Sequence, residues 1–457
     1  MVSMAYGKYV IPVDEKRKII EDGGVVYEGD KIVDVGDRKR LEKSYEIEEK
    51  FGGEGKVIIP GLINTHSHLQ LSIARGFSDG MNLMELKKLL TEIGEYTSDR
   101  LSYLSSLISL IELVKNGVTT TLDIDPGRET GAEALAEIKS RGIVSEAMRD
   151  RILGEREGEL MSTEEALKKG EILVKRWNDA EEGRIKAWFG PYTELLTSLE
   201  LLERTSRLAE EYNTGIHIHL AESFETQSII KREYGKRIFE YAKEIGFLGS
   251  NVLAAHCCWL SEKEIKIISE EEVKVSHSPV AEMKLADGVT PVPQLLSYGV
   301  NVSTSTDAPV ANNGYDLLND AKVGALLQRV QYPYEAATIS PWKALEMITI
   351  EAAKSLLLED EIGSLEKGKQ ADITILDIDK PYYFPTVNRP CMNILENLIF
   401  SGSGRDVETV IIDGNTILED REVQTLDEEK VKKEASRKAI ALYEELNEET
   451  NFFKKTF

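Results

Sequence analysis

The sequence predicts an α/β protein: a (β/α)8 TIM barrel carrying a small β-sandwich domain formed by the N- and C-terminal segments. Three observations carry that expectation. Through the middle of the chain, short apolar, β-branched runs alternate with amphipathic helical patterns, and there are eight such runs. Both ends read instead as hairpins. All six histidines fall at or near the C-terminal ends of the proposed strands.

Taken in order, KYVIPVD and GVVYEGDKIVDVG, within 8–35, read as short strands with Glu28-Gly29-Asp30 at a hairpin tip. The barrel strands follow at 57–66, 118–124, 142–148, 184–190, 215–221, 251–257, 273–278 and 300–306. Helical patterns lie between them, such as 101–117, where Gly117 stands as a C-terminal cap, and 199–213. ADITILDID (371–379) and VETVIIDGNTILE (407–419) return to strand grammar, with Asp413-Gly414 as a second hairpin signal. A charged amphipathic helix covers roughly 427–446. These patterns assign 1–57 plus 362–426 to the small β-domain, 58–361 to the barrel, and 427–457 to a C-terminal helix packing on the core. A doubly wound open sheet is the competing architecture. It calls for a Gly-rich phosphate loop after the first strand, and the sequence has none.

Composition narrows the functions. The chain carries 56 Lys+Arg against 80 Asp+Glu, a formal charge of −24. Neutralising phosphates needs clustered cations, so nucleic-acid binding is not expected. No apolar run approaches the ~18 residues of a membrane span, and the first residues lack the apolar stretch of a signal peptide, so no membrane association is expected. Cys257 and Cys258 are sequence neighbours and Cys391 stands alone, which leaves no disulfide framework and no CxxC pair. A reducing, cytoplasmic location fits that usage.

The histidines are His66, His68, His217, His219, His256 and His277. In a barrel the strand C-termini form the active face, so residues two hundred positions apart converge there. His66-Ser67-His68 is the sharpest motif. Alternate residues of a strand share a face, so both imidazoles project into the same space. Imidazole nitrogens bind Zn²⁺ at ~2.0–2.1 Å, and two at this spacing make half a metal site. An aspartate, Asp307, ends the eighth run.

PGLINTHSHLQLSIARGF (60–77), HIHLAES (217–223), AHCCWL (255–260), VSHSPVAEMKLADGVTPVPQLL (275–296) and STDAPVANN (305–313) resemble the amidohydrolase superfamily. The branch they resemble is that of the mononuclear deaminases and triazine hydrolases, which includes the S-adenosylhomocysteine/methylthioadenosine deaminases. The resemblance implies one divalent metal ion, zinc in the first place and iron as the alternative, held by His66, His68, His219 and Asp307. It implies Glu222 as the proton shuttle, Asp307 as the acceptor of the water's proton, and His256 as a partner of the attacking oxygen and the substrate. Bound water then drops from a pKa of about 15.7 to about 7, which suits hydrolysis at neutral pH. His217 reads either as a group behind the ligands or as a ligand, and His277 as substrate contact or structural support. Binuclear relatives need a lysine ending the fourth strand; here Lys186 begins that run and Gly190-Pro191-Tyr192 ends it, so one metal is expected.

The chain departs from the resemblance in its pocket. Tyr192 stands where many deaminases of this branch have a histidine, and it cannot become a cation at pH 7. The pattern H-N-P-x-S-N-x-K-L is here His277 to Leu285, with Ala281 and Glu282 at its polar pair. Tyr192, Trp259, His277 and Gln70 are the candidate substrate-binding residues. The expected function is hydrolytic deamination of a small nitrogen heterocycle (aminopurine, aminopyrimidine, pterin or triazine), in a homodimer or higher homo-oligomer. Release of an alkylamine or chloride from a triazine-like ring is the second reading, and a non-catalytic barrel scaffold the third.

Overall fold

The computed structural model describes residues 1–126, 129–151, 161–333 and 338–450. The chain opens with β1 (Val2–Val10), β2 (Ile20–Glu28), β3 (Lys31–Asp37) and β4 (Glu49–Pro60). Eight parallel strands follow: β5 (Leu62–Ser67), β6 (Val118–Asp125), β7 (Arg141–Met148), β8 (Ile185–Pro191), β9 (Ile216–Leu220), β10 (Val252–His256), β11 (Lys274–His277) and β12 (Val302–Thr304). They lie side by side in sequence order. β13 (Ile373–Asp377), β14 (Val407–Ile412), β15 (Asn415–Glu419) and β16 (Glu422–Val423) complete the first sheet.

The expected barrel is present, and a side chain helps close it. Asn64 in β5 reaches across to the end of β12: its Oδ1 accepts from the Thr306 N–H at 3.0 Å, and its Nδ2 donates to Thr306 Oγ1 at 2.9 Å. The Asp307 N–H donates to the His66 carbonyl in the same seam. Near the N-terminal ends of the strands, Ile63, Leu122, Ile143, Trp188 and Leu253 pack with Ala352, Leu356 and Ile362. Burial at ~25 cal/mol per Å² makes such a cluster the main stabilising element of that end. Serines at 98, 162, 198, 223 and 261 accept the N3 amide of the helices they precede. Each such cap contributes ~1 kcal/mol.

The terminal segments form one mixed sheet in the order β16-β15-β14-β13-β4-β1-β2-β3. It becomes a sandwich by folding across itself. The segment before β13 meets the β2–β3 hairpin, where Ala371 N–H donates to the Asp30 carbonyl at 2.7 Å and Ile32 N–H to the Lys369 carbonyl at 2.9 Å. Val25, Tyr27, Ile58, Ile373 and Ile411 thereby share one core. The hairpin at Asp413-Gly414 has positive φ at both central residues (48° and 71°), as a two-residue I′ turn requires.

One expected strand is divided. Residues 57–66 read as a single run, yet 57–60 end β4 and Leu62 starts β5. The break falls at Gly61, where a Cβ would stand 2.1 Å from Thr119 Oγ1. Only glycine lets the chain cross so close from sheet to barrel. Arg141, 3% exposed at the start of β7, locks the joint through Asp372 at 2.9 Å and Asp413.

The helix Glu428–Thr450 packs along the outside of two others, Asp99–Lys115 and Leu83–Tyr96. Leu442 and Leu446 share a core with Leu86, Leu89 and Ile93 of the latter. Arg100–Glu434 and Lys115–Glu428 ion pairs hold its first half. Among the described residues, no helix is long and apolar enough to cross a membrane.

Candidate active site

Every histidine but His217, the second residue of its strand, sits at or next to the C-terminal end of a barrel strand. His66 is in β5 and His68 just beyond it; His217 and His219 are in β9; His256 and His277 are the last residues of β10 and β11. All six are buried. The backbone is strained at the same rim: Ala221, His256, Cys257 and Asp307 have φ of 52°, 71°, 59° and 60°. Left-handed non-glycine residues cost ~1–3 kcal/mol each and persist only where packing fixes them.

Four side chains converge. His68 Nε2 and His219 Nε2 are 3.3 Å apart, His66 Nε2 is 3.4 Å from Asp307 Oδ1, and His68 Nε2 is 3.7 Å from the same oxygen. Donors held at ~2.0–2.1 Å around a tetrahedral ion stand about 3.3 Å from one another. The other ring nitrogens are engaged. His68 Nδ1–H donates to the Ile124 carbonyl at 2.7 Å, and His219 Nδ1–H to the Tyr192 carbonyl at 2.6 Å. His66 Nδ1 is 3.0 Å from His217 Nε2. A carbonyl can only accept, so the Nε2 lone pairs of His68 and His219 are left to face the centre. His66 Nε2 is a buried atom with no hydrogen-bond partner.

The electrostatics agree with that donor set. Burial and neighbouring imidazoles hold His66 and His219 well below the ordinary histidine range, so they are neutral, as metal ligands must be. Burial lowers His68 too, but Asp125 and Asp307 outweigh it and raise the net value. The group formed by His66, His68 and His219, and the group formed by His66, His256 and Asp307, each fit one small cation.

Across the cavity, Glu222 follows β9, its Oε1 3.6 Å from His256 Nε2 and its Oε2 3.7 Å from Lys87 Nζ. Burial lowers His256, but Glu222, Glu282 and Asp307 carry it up to about 10. The cavity, partly open to solvent, is lined by His68, His219, Glu222, His256 and Asp307 below. Leu83, Leu86, Lys87 and Leu90 of the helix Leu83–Tyr96 roof it. That helix starts in a capping box, with Asn82 and Glu85 bonded to one another's amides. A second, outer lobe shares Lys87, Leu90 and Tyr192 and runs out to Gln70, Glu95 and Arg149.

Not every expected substrate residue is in these lobes. Tyr192 lines both, and burial keeps its phenol protonated well beyond the ordinary range. Gln70 lies in the outer lobe alone. Trp259 lines neither; its indole N–H donates to the Asp287 carbonyl and its ring meets Phe224 edge-on. His277 also lines neither, because it is turned onto the buried Glu282 carboxylate, 2.9 Å away. Lys87 and Glu194 were not legible. The first reaches the site from a roof helix by a tertiary contact, and the second is a buried carboxyl among loop residues.

A parallel barrel with histidine and carboxylate donors gathered at its C-terminal mouth defines the class of metal-dependent barrel hydrolases. The chain belongs to the amidohydrolase family, whose sequence profile matches residues 57–417. A 5'-deoxyadenosine deaminase of Methanobrevibacter smithii is 37% identical over 427 residues, covering 93% of this chain and 94% of its own. A 5-methylthioadenosine/S-adenosylhomocysteine deaminase of Thermoanaerobacter pseudethanolicus is 33% identical over 431 residues, covering 94% and 96%. An adenosine deaminase structure from Xanthomonas campestris, with bound zinc, matches at a TM-score of 0.88 and 23% identity over 96% of this chain and 98% of its own. An atrazine chlorohydrolase of Arthrobacter aurescens, complexed with zinc, matches at 0.85 and 22% over 95% and 99%. These two likenesses speak to the fold.

Proposed function

We propose that the protein is a zinc-dependent deaminase of an adenosine-type nucleoside, with 5'-deoxyadenosine the first substrate to try. One observation carries the chemistry: the imidazoles of His66, His68 and His219 and the Asp307 carboxylate converge on one point, with Glu222 and His256 facing the same cavity. The relatives named above, similar over nearly the whole chain, carry the substrate class. His66, His68, His219 and Asp307 would hold the ion, and zinc suits a set of three imidazoles and one carboxylate. Such an ion supplies Lewis acidity, bringing a water molecule's pKa down to about 7.

The remaining steps belong to the chain. Asp307 accepts a proton from the attacking water. Glu222 gives a proton to the ring nitrogen beside the reacting carbon, which opens that carbon to addition. Protons then pass to the amino group, and the carbon–nitrogen bond breaks to release ammonia and leave a carbonyl. His256 donates from Nε2 to the attacking oxygen. The outer lobe, with Glu95 and Arg149, accommodates the part of the substrate beyond the ring. A second reading, release of chloride or alkylamine from a triazine, is favoured by Tyr192 in place of a cationic ring contact. A cytoplasmic location and a homo-oligomer complete the proposal.

The test is ammonia release over adenosine, 5'-deoxyadenosine, aminopyrimidines, pterins and aminotriazines, with two variants alongside. Glu222→Gln should retain metal and lose about 10²–10⁴-fold in turnover. His68→Ala should empty the site. Full activity of Glu222→Gln would overturn the proton-shuttle assignment.

A further inference from the structure

Glu282 lies in the short helix Pro279–Lys284, directly after β11, and is fully buried. Four groups converge on its carboxylate. The Ser278 N–H donates to Oε1 at 2.8 Å and the Thr290 hydroxyl to Oε2 at 3.0 Å. His277 Nδ1 is 2.9 Å from Oε2. His256 Nδ1 is 3.7 Å from Oε1, an ion-pair rather than a hydrogen-bond distance, and this nitrogen has no hydrogen-bond partner. The opposite edge of the same ring, Nε2, faces Glu222 Oε1 at 3.6 Å and opens on the cavity. His256 therefore stands between two carboxylates, one inside the cavity and one behind it.

Chemistry gives that placement a direction. An ionised carboxylate only accepts, whereas an amide at the same position could donate and select the other tautomer of the ring. Burial pushes the Glu282 carboxyl up, but the imidazoles of His277 and His256 outweigh it and hold it far below the usual range. An ionised Glu282 accepts an N–H from His277 Nδ1 at 2.9 Å and attracts one on His256 Nδ1, which stands at ion-pair distance, 3.7 Å. Asparagine is the residue of the pattern that this stretch resembles, so the charge is a feature of this chain.

We propose that Glu282 is a positioning residue for the reaction: it holds the Nδ1–H of His256, fixing the ring plane and turning the Nε2 edge toward Glu222 and the reacting carbon. Carboxylates behind a working imidazole act in this way in other sites, and their loss costs activity without removing the imidazole. This inference rests on the hydrolase reading of the site, and its test separates the two.

In the zinc-loaded holoenzyme labelled with ¹⁵N-histidine, only six side chains report. His256 is assigned from the signal missing in His256→Asn. The expected result is a proton on His256 Nδ1, exchanging faster in Glu282→Gln; an unprotonated Nδ1 in the wild type overturns the proposal whatever the activity. Kinetically, Glu282→Gln should lower kcat by about 10–100-fold and leave KM within about threefold. Made in a His256→Asn background, the same change should cost less than about twofold. Equal losses in both backgrounds, or a Glu282→Gln kcat within twofold of wild type, overturn it. If the wild type releases no ammonia from any nucleoside, the functional reading fails, and the NMR result alone decides the role of Glu282.

Discussion

His217 stands directly behind His66, its Nε2 3.0 Å from the His66 Nδ1 and its own Nδ1 3.5 Å from Ser145 Oγ. Burial and the nearby imidazoles hold His217 well below the ordinary range, so the ring is neutral; Ser145 Oγ gives its proton to the Asp123 carbonyl and so accepts from His217 Nδ1–H, which leaves Nε2 to accept. His66 then carries its proton on Nδ1 and turns its Nε2 lone pair to the centre. Neither of the compact donor groups includes His217. His217→Phe should weaken zinc binding by about 10–100-fold, measured by chelator competition, and His217→Asn should recover part of the loss through its amide oxygen. Unchanged affinity in His217→Phe would remove this role.

Asn64 offers a test of barrel closure. Asn64→Ala leaves the buried Thr306 amide and hydroxyl without that partner, at ~1–3 kcal/mol for each unsatisfied group. The variant should melt earlier and bind zinc more weakly, because the same seam joins His66 to Asp307. An unchanged Tm would mean that the ladder hydrogen bonds suffice.

Glu194 supplies a pH signature. Burial first, with Glu222 adding to it, pushes its carboxyl from 4.5 up to about 7. The folded state therefore binds the extra proton, so this contribution is fully present below about pH 4.5 and is lost as pH rises through about 7. Glu194→Gln keeps the shape and has no such loss. The difference in unfolding free energy, variant minus wild type, should grow between pH 5 and about pH 7, by up to ~1.4 kcal/mol per pH unit, and level off above that. A flat difference would show that Glu194 is ionised throughout.

The sequence was most legible where a pattern is local. β-Branched runs give the barrel strands, Asp413-Gly414 gives its turn, and Gly117, with φ of 86°, ends its helix as expected. The histidines were legible because strand ends in a barrel share one rim. What escaped depends on contacts distant in sequence. Nothing in 57–66 marks a change of sheet, because Gly61 is required by Thr119, fifty-eight positions on. Lys87 belongs to an ordinary amphipathic helix until that helix is laid over the cavity. Trp259 sits three residues past the end of β10, yet its indole is spent on a carbonyl outside the site.

The helix that roofs the cavity is braced from outside by Glu428–Thr450. That brace follows the entire barrel in the chain, so the donors at the barrel mouth and the outer support of their ceiling come from separate stretches of sequence. Ending the chain before Glu428 should give a protein that takes up zinc normally but has a raised KM, read from steady-state kinetics against its metal content. A change on the inner face of Glu428–Thr450, at Leu442 or Leu446, thus reaches the cavity through Leu86 without altering any residue that lines it.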